Sequence, residues 1–283
     1  MKDFFTYYTE IKSMAAPFQT FSIAHLCFLC LMGIIIYALY HRYTTLNTSN
    51  KRKFQIYMAL YFLIEEAIYT LWLLLNCHEQ VWIQILPLEL CSCCVYMNAA
   101  CVFTQKNSLR FFSGVVGLVA GGVAMIYPAN IAGLYPIVSY RTINFYILHG
   151  AFLLFSLIQL SDTTLLQYRY MKKNYLIICC MFSIAFIVNL MLDTQYMFVG
   201  VPPKIALVAS LYQLTGIFLF LPAVLAALFV IQCIVVYLLR KVYGYPSKEE
   251  AASLRKYAVF FIFVMFKEKS SVLTMHKAIL IVK

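Results

Sequence analysis

TINFYILHGAFLLFSLIQL, residues Thr142–Leu160, runs for nineteen residues without a lysine, an arginine or a carboxylate. At a rise of 1.5 Å per residue a helix of that length covers about 28 Å, close to the roughly 30 Å of hydrocarbon in a bilayer. Six further stretches read the same way: Phe21–Tyr40, Phe54–Leu75, Ile83–Phe103, Phe111–Tyr127, Tyr175–Tyr196 and Leu207–Leu239. The expectation is an all-α polytopic membrane protein with seven transmembrane helices. Composition agrees, since 63% of the 283 residues are hydrophobic and 12% charged, against about 25% charged in soluble domains. The alternation of a membrane barrel is absent.

Basic residues orient the spans. Before, between and after the seven stretches lie 2, 4, 0, 2, 1, 3, 1 and 9 lysines and arginines. Every second segment is enriched, so by the positive-inside rule the amino terminus is outside and the carboxyl terminus cytoplasmic. The net charge of +11 then follows from topology and attraction to anionic lipid rather than from a nucleic-acid surface. The expected organisation is an interfacial segment over 1–20, with Phe4, Phe5, Tyr7 and Tyr8 at headgroup level, a seven-helix domain over 21–239, and a basic cytoplasmic tail over 240–283. In the tail, Ser247-Lys-Glu-Glu250 reads as a capping box, and Ala258–Phe266 is too short to span. Phe21–Tyr40 is too long for the apolar region of a signal peptide. The localisation expected is the cell membrane.

Within the spans, Gly117-Leu-Val-Ala-Gly121 beside Gly114 offers a smooth face for another helix. Pro222 predicts a kink in the last span. Polar side chains at lipid depth are costly, so each is a functional candidate. His25, Glu65, Glu66, Glu89, Cys91, Asn144, His149, Asn189 and Asp193 all lie in the outward halves of their spans, most within roughly 15 Å of the outer interface. They predict a polar cavity opening outward. On the third span Cys91, Cys94 and Asn98 share one face, while Glu89, Ser92 and Tyr96 share another, which predicts that this helix is central.

Buried cysteines also serve as small packing residues, and Cys91-x-Cys93-Cys94 lacks the second pair or nearby histidines of a metal site. No metal or other cofactor is expected. A glycine-rich phosphate loop, an HExxH and a GxSxG are all absent.

Leu86-Pro-Leu-Glu-Leu-Cys91, Tyr146-Ile-Leu-His149-Gly150, Gln195-Tyr-Met-Phe198 with Pro202-Pro203, and His25 together resemble the YwaF-type integral membrane proteins over about residues 20 to 240. A eukaryotic branch similar to that family is regarded as a phospholipid acyltransferase, in which a membrane cysteine and histidine carry an acyl group between lipids. The bacterial pattern has histidine where this chain has Glu89. In the eukaryotic branch the cysteine follows the proline directly, which aligns with Leu88, one turn from Cys91 on the same face.

Independently of any family, a thiolate is the competent nucleophile and a neighbouring imidazole the group that supplies it. The catalytic candidates are therefore Cys91 and His149, with Glu89, Asp193 or Glu66 orienting the histidine and membrane lipids as the expected partners. The alternative is a transporter or a binding protein for a small solute or lipid that uses the same cavity.

Overall fold

The computed structural model describes residues 4–11, 16–78 and 80–244. Among them the regular elements are helical: α1 Ile23–Thr44, α2 Thr48–Asn76, α3 Val81–Gln84, α4 Leu90–Thr104, α5 Asn107–Ile126, α6 Tyr140–Leu160, α7 Tyr168–Leu192 and α8 Ala206–Val242, with three single 3-10 turns. Six of these, α1, α2, α5, α6, α7 and α8, are long and apolar enough to cross a membrane. The capping box and the short apolar run of the tail lie outside the described residues. The chain divides into two compact units, one ending at Leu165 and one beginning at Leu166.

The third expected span is the one that breaks. Pro87 has no N–H to give a helix and drives the residue before it out of the α region. The Leu88 N–H accordingly turns back onto the Leu86 carbonyl at 2.8 Å. A regular helix resumes only at Leu90 and runs for 15 residues, about 22 Å, short of a bilayer by itself.

In the first unit α6 is the central helix, in place of the helix expected from the third span. It packs against α1, α2, α4 and α5, and 72% of its apolar window is buried, against 11% for α1. One face of α4 points inward with Cys94 and Asn98, whereas Tyr96 on the other is exposed. The glycine face of α5 lies on α6. A Cβ placed on Gly121 would stand 3.0 Å from the His149 carbonyl, and one on Gly114 would stand 3.0 Å from Leu160. Backbones can approach that closely only where side chains are missing. The seam is tied by Ser156, whose hydroxyl donates to the Ser113 carbonyl at 2.7 Å. At the seam's end Arg110 pairs with Asp162 at 3.0 Å and donates to Gln159 at 3.1 Å.

The aminoterminal segment is held by protein. The Phe18 N–H donates to the Tyr135 carbonyl at 2.9 Å, Gly133 donates back to Phe18 at 2.8 Å, and the Tyr140 N–H reaches the Phe4 carbonyl at 2.8 Å. Phe18 is fully buried and Tyr7 nearly so, in a cluster with Trp72 and Tyr146. Phe5 stays exposed as expected of an interfacial ring, yet its carbonyl accepts from the Trp72 indole at 2.7 Å.

In the second unit α7 and α8 are joined by polar contacts. The Asn174 amide donates to Gln232 at 3.0 Å, Gln232 donates to the Met171 carbonyl at 3.2 Å, and Arg240 donates to the Leu166 carbonyl at 2.7 Å. The helix α8 is interrupted at Gly216, with φ 64° and ψ 174°, a conformation open essentially to glycine alone. The interruption thus falls before Pro222, where the kink was expected.

Gly121→Leu should lower stability by about 1–3 kcal/mol through overpacking of the α5–α6 seam, read as a fall in the unfolding midpoint of detergent-solubilised protein. The same change at Gly33, which has no neighbour within 4 Å of its Cβ position, should leave the midpoint near wild type.

Candidate thiol-imidazole site

Cys91 is the second residue of α4, placed there by the break at Pro87. Its Sγ lies 3.0 Å from His149 Nε2, on two helices expected from depth alone to bring these groups level. His149 Nδ1 lies 2.7 Å from the Phe145 carbonyl one turn earlier in α6. A carbonyl can only accept, so Nδ1 carries the proton and Nε2 presents its lone pair to the thiol. The ring is 2% exposed, and the rings of Phe145 and Phe152 stand 4.1 and 5.7 Å from it. Cys91 is only partly buried. The imidazole is thus the more enclosed member of the pair.

The orienting role expected of a carboxylate is filled by the Phe145 backbone. Glu89 is the partly buried N-cap of α4, and its side chain makes no capping bond. The first-turn N–H groups of α4 therefore receive no cap from Glu89. Glu65 and Glu66 are both buried on α2. Glu66 has the Ser92 hydroxyl of α4 beside it. Glu65 neighbours Asn144 of α6, but neither its oxygens nor the Asn144 Nδ2 reach hydrogen-bond geometry with a partner.

His25 shows the contrast. Its Nδ1 accepts from the Phe21 N–H at 2.8 Å, and its Nε2 donates to the Met125 carbonyl at 2.9 Å. Both nitrogens are committed to backbone, so this ring pins the start of α1 to the end of α5. Asn189 and Asp193 belong to the second unit. The Asn189 Oδ1 accepts from the Tyr196 N–H at 2.8 Å and from Thr194 at 2.7 Å, and Asp193 ends α7 in the left-handed conformation. The Asn189 amide thereby closes the turn after α7.

The sequence reading missed Arg141, the second residue of α6. Its guanidinium carbon stands 4.6 Å over the Tyr69 ring and 5.9 Å from that of Phe145, and its charge reaches Cys91 and Glu65. The signal was available: Arg141 is the one basic residue of segment 128–141, where the positive-inside rule would deplete it.

Among the described residues no three histidine, cysteine or carboxylate side chains gather as a metal site. A family model matches residues 17–243, which include all of these site residues. The chain belongs to the TMEM164 family. Membership in this transmembrane family, together with the apolar helices, makes it a multi-pass membrane protein. No curated protein and no solved structure matches the chain.

If His149 is the base for the thiol, His149→Ala should slow alkylation of Cys91 by a small neutral reagent by roughly 10²-fold, the lower end of general-base effects. The measurement uses protein whose other nine cysteines are replaced, with mass spectrometry counting the label. An unchanged rate would remove the imidazole from that role.

Proposed function

We propose that the protein transfers acyl chains between membrane lipids, from a phospholipid to a lysophospholipid, with Cys91 as nucleophile and His149 as acid and base. The observation that carries this reading is the 3.0 Å contact between Cys91 Sγ and His149 Nε2. The contact at Nδ1 that fixes the tautomer completes it.

In the first half-reaction the thiol proton passes to Nε2 as sulfur adds to an ester carbonyl. The ester C–O bond then breaks, and the imidazolium gives the proton to the departing glyceryl oxygen. A thioester on Cys91 and a lysophospholipid result. In the second, another lysophospholipid hydroxyl gives its proton to Nε2 while its oxygen adds to the thioester carbonyl. The sulfur leaves and recovers the proton. Negative charge on the carbonyl oxygen develops beside the first turn of α4, where the N–H groups that Glu89 does not cap and the positive end of the helix dipole can receive it. The resemblance of the Leu86–Cys91 and Tyr146–Gly150 motifs to the YwaF-type proteins and their acyl-transferring eukaryotic branch supports the same chemistry.

The topology that fits this reading has seven crossings, the third formed by α3, the Pro87 segment and α4 together. The alternating basic segments support an outside amino terminus in the cell membrane and a site in the outer leaflet.

Purified protein in liposomes containing a labelled phospholipid and an unlabelled lysophospholipid should exchange acyl chains. His149→Ala should abolish exchange, and Cys91→Ser should slow it by several orders of magnitude, while both variants remain folded. Full exchange by Cys91→Ala would leave direct transfer without a thioester. Solute flux without exchange by wild-type protein would replace this reading with transport.

Cysteine-accessibility labelling checks the orientation. Glu79→Cys should react with an impermeant reagent on intact cells, and Asn50→Cys only after permeabilisation. The reverse pattern would move the site to the inner leaflet.

A further inference from the structure

We infer that Arg141, seated on the ring of Tyr69, binds the phosphate of a lipid substrate and so sets the depth at which its ester bond meets Cys91. The inference rests on the acyl-transfer reading for the identity of the scissile bond.

The platform is fixed. Tyr69 stacks on Trp72 with ring centroids 5.7 Å apart, and the Trp72 indole is tied to the Phe5 carbonyl at 2.7 Å. Arg141 lies over Tyr69 at 4.6 Å. A guanidinium held by a ring face keeps its planar N–H fork available, and that fork offers five donors and no acceptor. Among the described residues no carboxylate lies within the 4.0 Å of an ion pair with it. Its charge is felt by Glu65 and Glu66, and Glu89 lies near the same Tyr69 ring. One turn further along α6, the buried Asn144 presents an amide Nδ2 with no acceptor. Arg141 and Asn144 are thus donors on one helix face, Asn144 beside the Glu65 carboxyl and Arg141 without an ion pair, so the guanidinium fork is the group left to take an acceptor-rich anion.

Position selects the anion. Arg141 precedes His149 by eight residues, about 12 Å along the helix axis, and its long side chain spans part of that interval. A glycerophospholipid carries its phosphate and its ester carbonyl on one glycerol. With the phosphate at Arg141, the ester extends along α6 past Phe145 toward the Cys91 sulfur. A planar bidentate donor suits phosphate oxygens.

The test uses the full chain in a phosphate-free detergent with Trp82→Phe, which leaves Trp72 as the sole tryptophan of the two in the sequence. Trp72 emission is titrated with a lysophospholipid, the matching monoacylglycerol and inorganic phosphate. Wild-type protein should give a saturable shift with the lysophospholipid, at least about tenfold weaker affinity for the monoacylglycerol, and no shift with inorganic phosphate. Arg141→Gln should erase the preference for the phosphorylated lipid, and Arg141→Lys should restore part of it. In exchange assays, Arg141→Gln should reduce the ratio of kcat/KM for phospholipid over diacylglycerol about tenfold or more, chiefly through KM.

Equal wild-type affinity for the two lipids would overturn the inference. So would an Arg141→Gln variant that loses phospholipid and diacylglycerol turnover in equal measure, since that is the behaviour of a mere counter-ion for Glu65 and Glu66. Saturable binding of inorganic phosphate would assign the site to a free anion and overturn the lipid role. If Arg141→Gln does not fold, Arg141→Lys and the wild-type lipid comparison still decide. Absence of any acyl exchange by wild-type protein would sink the acyl-transfer reading, and the fluorescence titration would then decide the phosphate site by itself.

Discussion

The close approach of α5 to α6 is the contact on which the first unit depends. Lipid tails are as apolar as leucine, so helices in a membrane associate through close packing and hydrogen bonds rather than through escape from water. Gly114, Gly117 and Gly121 allow that packing by withholding side chains from the seam. The Ser156 hydroxyl reaches across it to the Ser113 carbonyl, and Arg110 with Asp162 closes it. Gly121 stands against the His149 carbonyl itself. The glycine face therefore sets where the backbone of α6 carries the imidazole, and it links a packing requirement to the chemistry.

A second constraint shapes the rest. Backbone polar groups have no water to turn to at membrane depth, so irregular chain is tolerated only when its groups find partners in protein. Between Cys77 and Glu89 the described residues make local backbone bonds: Cys77 donates to Leu73 at 2.8 Å, Ile83 to Gln80 at 2.9 Å and Leu88 to Leu86 at 2.8 Å. Its last consequence is to start α4 at Leu90, which puts the Cys91 sulfur at a helix amino terminus beside His149. Histidines 25 and 149 lie on the same side of this economy until their partners are compared. One spends both ring nitrogens on backbone, and the other spends one and turns the second to a thiol.

Much of this was legible in the chain. Apolar runs of bilayer length mark the helices, because a membrane solvent imposes length and composition directly on sequence. The level meeting of Cys91 and His149 was legible for a related reason: a helix converts residue count into depth at a constant rise, so equal offsets from the span ends place groups at equal height. Asn189 misled because its partners, Thr194 and Tyr196, lie in the turn that follows it. A polar stripe on a helix cannot be told from a local cap until the turn is built.

By itself, then, the sequence determined the helical membrane class, the glycine face of α5 and the matching offsets that let the thiol and imidazole meet, all of which follow from one-dimensional rules of length, spacing and side-chain size. The tertiary structure alone decided that α6 is the central helix, that the third apolar run breaks at Pro87, that His25 is consumed by a carbonyl 100 residues away, and that Arg141 stands on Tyr69. Each of these depends on which helix faces which. Apolar stretches of similar length and hydropathy pack interchangeably as far as composition is concerned, and only the fit of one surface to another selects among them.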